Sequence, residues 1–296
     1  MVKKIWTILD LINWTTDYFK KKGIPSPRRD AEVLLAHQLT TDRVGLYLKY
    51  DQPLNKDELA SFRNLVKRRA KREPIQYIIG KKEFFSVDFE VNPSVLIPRP
   101  ETEILVEEIL KELKKREEKF INILEIGTGS GAVSIILKKE IPFLNIFATD
   151  ISFDALKIAK ENANRIVKRE KIQFIGADKF SPFKEKKGGI FDFIVSNPPY
   201  IPEGRIQNLQ EEIRLFEPIS ALDGGKDGLD FIKVLIEKSP FFLRNNGMLF
   251  IEIGEGQAEK VLDFIKSTGS FESVKIKEDL SGIKRVVAAR RKRWKS

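Results

Sequence analysis

The apolar run Phe191-Asp192-Phe193-Ile194-Val195-Ser196 stops at Asn197-Pro198-Pro199-Tyr200, and this junction constrains the fold more than any other stretch of the chain. The run has the length and content of a buried strand. Consecutive prolines fix φ at about −65° and bias the residues before them toward extended conformations, so the backbone cannot continue as a helix. The turn therefore holds the Asn197 amide and the Pro198 carbonyl at a strand's C-terminal end, where open α/β sheets bind their ligands. A planar amino group has two N–H donors, and the Asn197 side-chain oxygen and the Pro198 carbonyl supply two acceptors. Taken alone, the four residues equally describe a Pro-rich turn leaving a strand.

Upstream, the strand-like Ile123-Leu124-Glu125-Ile126 runs into Gly127-Thr128-Gly129-Ser130-Gly131 and then into a helical pattern, Ala132 to Lys139. Glycines in that context let a ligand approach the backbone at a helix N-terminus. A second strand, Asn145 to Asp150, follows about twenty residues on and ends in an acid placed to accept from ribose hydroxyls. A third, Ile172 to Asp178, ends in an acid before Lys179 and Phe180. All four strand ends are expected on one edge of a parallel sheet. A dinucleotide needs its pyrophosphate at the helix N-terminus, whereas a carboxylate at Glu125 repels phosphate and attracts a cation. S-adenosylmethionine carries a sulfonium, an α-amino group and an adenosine but no phosphate, and fits this pattern better than NAD.

Together, Leu96-Ile97-Pro98-Arg99-Pro100-Glu101-Thr102-Glu103, Glu125 to Gly131, Asn197 to Tyr200, and Phe216-Glu217-Pro218 with Ala221-Leu222 resemble the peptide chain release factor N(5)-glutamine methyltransferases of the HemK or PrmC type. Asn-Pro-Pro-Tyr is shared with N(6)-adenine methyltransferases and does not choose a substrate. The Arg99 stretch discriminates better, because the similar enzymes that modify a ribosomal-protein glutamine usually carry Arg-Ser-Pro there. The resemblance implies a Rossmann-like, doubly wound α/β methyltransferase sheet and a small N-terminal helical domain that reaches over the cleft to grip a protein substrate. It implies that Gly127, Thr128, Gly129, Ser130, Gly131 and Asp150, with Glu125, bind the cofactor's methionine portion and ribose. By the same resemblance, Asp178 would take the adenine amino group, with Lys179 or Phe180 against the ring, and Asn197 would also stand beside the cofactor. Asn197, Pro198 and Tyr200 would be the catalytic group, and Arg99, Glu101, Glu103 and the Asn197 to Tyr200 turn, Pro199 included, would bind the substrate glutamine and its surroundings.

The chemistry implied is positioning rather than acid–base catalysis: two acceptors orient an amide nitrogen so that its lone pair points at a sulfonium methyl. The chain has no cysteine and one histidine, His37, so a Cys nucleophile, a Cys-type zinc site and a Ser-His-Asp triad have no material. No metal is expected. His37 lies in the apolar stretch Ala31 to Leu39 and reads as a helix residue without chemistry.

At 296 residues the chain holds about two domains. Residues 1–83 read as helices, with Ile5, Ile8, Leu9 and Ile12 at helical spacing, Ser26-Pro27 as an N-cap and N1 pair, and a third helix from Lys56 to Arg72. Residues 84–99 read as a β-hairpin linker around Asn92-Pro93, and 100–296 as the methyltransferase domain. Absent disulfides and membrane-length apolar runs, a cytoplasmic monomer with no membrane association is expected. The expected partners are class 1 release factors, methylated on the glutamine of their Gly-Gly-Gln loop, without a need for nucleic acid.

The net charge of +10 also suits a nucleic-acid amino methyltransferase, drawn to phosphates. Yet 53 bases against 43 acids describe a mixed surface more than a patch. The basic stretch Arg290 to Lys295 reads as a solvated tail or as a tether to RNA or to an acidic partner. A glutamine methyltransferase acting on a ribosomal protein, and a cofactor-binding protein without catalysis, are compatible with the same motifs.

Overall fold

A computed structural model of the chain describes residues 5–118, 120–168, 171–186 and 188–293, and it divides into two compact units. The first comprises residues 1–80 and 210–216. It contains α1 (Ile8–Lys21), α2 (Pro27–Gln38), α3 (Arg43–Tyr47), α4 (Lys56–Ala70) and α5 (Ile75–Ile79). Thr7 and Asp10 start α1 as a capping box, and Asn55 and Glu58 do the same for α4, each pair satisfying backbone donors that a helix end leaves open. Ser26 and Pro27 stand at the N-cap and N1 positions of α2, but the Ser26 hydroxyl makes no capping bond. The helices bury Ile8, Ile12, Phe19, Leu34, Leu35 and Phe62 against one another. The five-residue helices α3 and α5 were not anticipated, because they are too short for a 3.6-residue period to register. Buried Arg69 bonds Asp30 at 2.7 Å and Glu212 at 3.0 Å, which joins the later segment to this unit.

The second unit comprises residues 81–209 and 217–296. It begins with the antiparallel hairpin β1 (Lys81–Phe84) and β2 (Val87–Glu90). The turn lies at Phe85-Ser86, where φ is 52° and 58°, and not at Asn92-Pro93 as expected. Positive φ at both central residues is the type I′ geometry that matches strand twist. Phe and Ser carry no signal for it, which moved the expected hairpin downstream. Asn92 instead bonds the Ser94 amide within a turn.

The remaining elements are α6 (Glu101–Leu113), β3 (Asn122–Ile126), α7 (Ala132–Glu140), β4 (Asn145–Asp150), α8 (Phe153–Ile166), β5 (Ile172–Gly176), β6 (Phe191–Ser196), α9 (Glu211–Phe216, of the first unit), α10 (Asp230–Lys238), β7 (Leu243–Glu252), α11 (Ala258–Thr268), β8 (Phe271–Glu278) and β9 (Lys284–Arg291). The sheet order is β5-β4-β3-β6-β7-β9-β8. β3 pairs in parallel with β4 and β6, while β9 runs antiparallel to β7 and β8. Successive side chains point to opposite faces of a strand. Ile123, Phe193 and Val195 accordingly pack with α6 and α7 residues, and Leu124, Ile194 and Leu249 with α10 and α11 residues. Burial on both faces explains the near-continuous apolar runs of β3 and β6.

β9 also corrects the reading of the basic end. Arg290 and Arg291 belong to the strand, and Arg291 is buried with its Nη1 donating to the Leu243 carbonyl at 2.7 Å. A carbonyl-bonded guanidinium inside a sheet is no solvated tail. Trp294 and Lys295 lie outside the described residues.

Candidate active site

The strand order reverses at β3, which has β4 on one side and β6 on the other. Such a switch point opens a crevice beyond the strands' carboxyl ends. The loop leaving β3 enters it with φ of 76° at Gly127, 55° at Gly129 and 82° at Gly131. A Cβ added to Gly127 or Gly129 meets nothing within 4 Å, whereas one at Gly131 would stand 2.7 Å from Ile135 Cδ1 and 3.2 Å from Ala159 Cβ. The first two glycines thus keep the backbone bare toward open space, and the third lets α7 pack against α8.

Hydrogen bonds hold this loop from behind. The Gly127 and Thr128 amides donate to the Thr149 carbonyl at 2.9 and 3.0 Å. The Gly129 amide donates to Asp150 Oδ2 at 2.9 Å, and the Ser152 amide donates to Asp150 Oδ1 at 2.9 Å. Burial raises the Asp150 carboxyl, opposed by these amides. Glu125 is buried and accepts from Thr128 Oγ1 at 2.7 Å and from the Ser134 hydroxyl. Burial pushes its carboxyl up to about 7, partly offset by the two hydroxyls. Buried Asn162 donates to the Ser130 carbonyl at 3.0 Å, while its Oδ1 accepts from the Glu90 amide at 2.7 Å, so the hairpin braces the same loop. Asn162 lies mid-helix in α8 and nothing in its neighbours marks it.

Glu125, the Gly127 to Ser130 loop, Asp150, Asp178, Lys179, Asn197 and Pro199 line one cleft with about 960 Å³ of empty space, open solvent included. Gly131 sits behind the loop rather than on the cleft wall. Lys179 Nζ lies 2.7 Å from Asp178 and 4.7 Å from the centre of the Phe231 ring, and Phe231 also lines the cleft. Phe180 does not: its ring stacks on Phe242 at 4.7 Å inside the core. The aromatic wall expected from Phe180 is therefore supplied by Phe231, from α10, some fifty positions later in the chain.

At the end of β6, Asn197 Nδ2 donates to Thr102 Oγ1 at 2.9 Å, which leaves Oδ1, bonded by no described residue, as the acceptor toward the cleft. The Tyr200 hydroxyl donates to Glu252 Oε1 at 3.3 Å, and burial with the Glu252 charge raises its pKa. Gln257 Nε2 donates to the Tyr200 carbonyl at 2.9 Å and to the Gly228 carbonyl at 3.1 Å. Gly228 has φ of 77°, and a Cβ there would stand 2.4 Å from the Tyr200 carbonyl. Its glycine run is thus the floor of the Asn197 turn.

The segment before α6 is used differently from the expectation. Arg99 Nη2 bonds Glu217 Oε1 at 2.5 Å, and the Ile97 amide donates to the other oxygen at 3.4 Å. Burial raises the Glu217 carboxyl and Arg99 opposes it. Glu103 accepts from the Phe85 amide at 2.8 Å and so fixes the hairpin turn. From Leu96 to Glu103, Leu96, Pro98 and Thr102 line the cleft and Arg99, Glu101 and Glu103 do not; nor do Pro198 and Tyr200. No group of three or more acids and histidines among the described residues is arranged to hold a metal.

Residues 10–80 match the family model described as PrmC N-terminal domain, and residues 100–216 match that of the methyltransferase small domain. The release factor glutamine methyltransferase of Geobacter sulfurreducens is 44% identical over 97% of this chain and 98% of its own length. That of Thermodesulfovibrio yellowstonii is 40% identical over 88% of this chain and 91% of its own length. Among solved structures, a methyltransferase from Pyrococcus furiosus has a TM-score of 0.50 at 22% identity, covering 71% of this chain and 92% of that one. The human methyltransferase 10 domain containing protein has a TM-score of 0.53 at 16% identity over 79% of this chain and 98% of that one. These two likenesses establish the fold alone. With a relative 44% identical along nearly its whole length, the chain belongs to the family of release factor glutamine methyltransferases.

Proposed function

We propose that this protein transfers a methyl group from S-adenosylmethionine to the side-chain amide nitrogen of the glutamine in the Gly-Gly-Gln loop of class 1 release factors. The activity of its relatives on release factor glutamine supports the substrate. The observation that carries the chemistry is the orientation of Asn197, whose amino group is taken by Thr102 and whose oxygen is left to accept.

The cleft fits the cofactor by an independent criterion. The space beyond Gly127 and Gly129 is where side chains on those residues would stand, and Asp150 lies beside the loop with both oxygens already oriented by amides. The bare loop suits the methionine portion, Asp150 the ribose hydroxyls, and Asp178 with Phe231 the adenine. Bound S-adenosylmethionine supplies an electrophilic methyl group on a sulfonium. Asn197 Oδ1 accepts an N–H of the substrate amide, which orients its nitrogen and costs no reorganisation during reaction; the Pro198 carbonyl, expected to take the second N–H, belongs to a residue that does not line the cleft. The buried, internally bonded Tyr200 hydroxyl holds the turn and takes no part in proton transfer. The helical unit is the release-factor recognition domain in this reading, supported by its match to the PrmC N-terminal model. We assign the reaction to the cytoplasm and to a monomer; among the described residues no helix is long and apolar enough to cross a membrane.

The test is transfer of labelled methyl from S-adenosylmethionine to a recombinant release factor, beside a version with the loop glutamine changed to alanine and beside total RNA and DNA. Label confined to the intact release factor supports the reading. Label on nucleic acid, or equal label on the altered factor, overturns it.

A further inference from the structure

Within the helical unit, α1 and α4 both pack on α2 and leave a groove between them. Their N-terminal ends are tied together, because the Leu54 amide donates to the Trp6 carbonyl at 3.0 Å and the Ile8 amide to the Gln52 carbonyl at 3.1 Å. Beyond that joined end the groove holds about 1260 Å³ of empty space, open solvent included. α1 lines it with Leu11, Trp14 and Tyr18, and α4 with Leu59, Phe62 and Val66. In each helix these residues are three and then four positions apart, so each helix turns one apolar face to the same space. Leu11, Phe62 and Val66 are buried, whereas Trp14 is 51% exposed. Its ring is nonetheless held in place, stacked on Tyr18 at 5.3 Å and set edge-on to Trp6 at 6.3 Å.

The rim is charged with one sign. Lys56, Arg63 and Lys67 of α4 line the groove and are exposed, and none of them makes an ion pair with a described residue. Other cations of the unit are engaged: Arg28 and Arg43 by Glu32, Arg68 by Glu73, Arg69 by Asp30 and Arg72 by Glu211. None of Asp10, Asp17, Asp57 and Glu58, the acids of α1 and α4, lines the groove.

We propose that this groove seats an acidic amphipathic helix of the release factor, with its apolar face on Trp14, Tyr18 and Leu59 and its carboxylates along Lys56, Arg63 and Lys67; this rests on, and deepens, the reading of the helical unit as the recognition domain. Two facing helical stripes with a gap between them suit a third helix, which lays an apolar face into such a groove. The cations run along eleven positions of α4, about 16 Å, or three turns of a helix beside it. Free cations on the rim call for carboxylates on the occupant. Exposed but rigid Trp, with Tyr and Arg beside it, is the composition on which protein interfaces concentrate their binding energy. Leu11, Leu59 and Val66 offer methyl groups to apolar side chains rather than rings to bases, which favours a protein segment over single-stranded nucleic acid.

The experiment measures methyl transfer by the full chain and by the double variant Lys56→Glu, Arg63→Glu, whose changes are at exposed positions and, at Lys56, suit the first turn of a helix. The KM for intact release factor is expected to rise about ten-fold or more, with kcat and S-adenosylmethionine affinity unchanged. A synthetic peptide carrying only the Gly-Gly-Gln loop is methylated equally by both proteins. Trp14→Ala also raises the KM for release factor, while Trp14→Phe, which keeps a ring on Tyr18, retains most of the affinity. In parallel, p-benzoylphenylalanine placed at position 14 cross-links the occupant, and an acidic helix of the release factor is the expected product. A cross-link to a basic or non-helical segment, to RNA or to a second copy of this chain overturns the proposal, and so does an unchanged KM in the charge-reversed variant. If wild type labels no release factor, the substrate reading fails, and the cross-link, formed without S-adenosylmethionine, still decides what the groove seats.

Discussion

Asn197 and Thr102 are 95 residues apart and share a hydrogen bond of 2.9 Å that joins the end of β6 to the first turn of α6. The bond turns a Pro-bounded loop into an oriented acceptor. In the proposed reaction it also gives the first turn of α6 a part through Thr102, while nearby Arg99 and Glu103 hold Glu217 and the hairpin.

Asn197→Ala removes that acceptor and leaves the Gly-rich loop intact. Methyl transfer is expected to fall by at least about a hundred-fold, while S-adenosylmethionine affinity by calorimetry changes little. Retention of transfer would show that the role assigned to Asn197 is wrong.

The glycines of the loop separate into two classes. Gly129→Ala meets open space but a φ of 55°, so its cost in stability is about 1 kcal/mol from left-handed strain alone, and its main effect is weaker cofactor binding. Gly131→Ala adds a collision with Ile135 and Ala159 and lowers the thermal midpoint further. Comparing calorimetric Kd with melting temperature for the two variants checks the division.

Stability should decline as pH rises through neutrality because of Glu125. Its folded pKa of about 7 lies above the ordinary 4.5, so the native state holds a proton that the unfolded chain has released. The contribution is fully present below about 4.5, is lost as pH passes about 7, and is on the order of 3 kcal/mol. Urea midpoints at pH 5.5 and pH 8 measure it, and Glu125→Gln is expected to reduce the difference by roughly half, because the buried Glu252 carboxyl, also pushed up to about 7, contributes in the same sense.

Arg99→Ala is expected to act on stability before specificity. It leaves the Glu217 carboxylate, 1% exposed at its side chain, without its cation. A loss of about 2–3 kcal/mol is expected, less than for a fully buried pair because Arg99 is partly exposed. Denaturant unfolding measures this loss, and a variant as stable as wild type with altered substrate choice would return Arg99 to the substrate.

Within the helical unit, Arg69→Ala leaves buried Asp30 without its cation and Glu212 with only the longer contact to Arg72, at 3.4 Å. A destabilisation of about 3–5 kcal/mol is expected. Thermal melting of the full chain tests it, with loss of hydrogen-exchange protection concentrated in α2 and α4.

Much of the molecule was legible along the chain, for local reasons. Apolar runs ending in Gly127, Asp150, Asp178 and Asn197 announce strands whose ends share an edge, because period-2 burial and turn chemistry act over a few residues. The long helices α1, α2 and α4 carry their own stop and start signals, and Gly-Thr-Gly-Ser-Gly with Asn-Pro-Pro-Tyr locates the two walls of the cleft. Other features depend on residues brought together from far apart. The hairpin turn at Phe85-Ser86 is held by Glu103, the cleft's aromatic wall is Phe231 rather than Phe180, and Arg291 is buried inside a sheet rather than in a tail. Thr102 has no sequence signature, since a hydroxyl acquires direction only when a distant partner fixes which atom donates. Sequence determined where the acceptor stands; the tertiary structure decided which way it points, because hydrogen-bond polarity is set by neighbours in space and not along the chain.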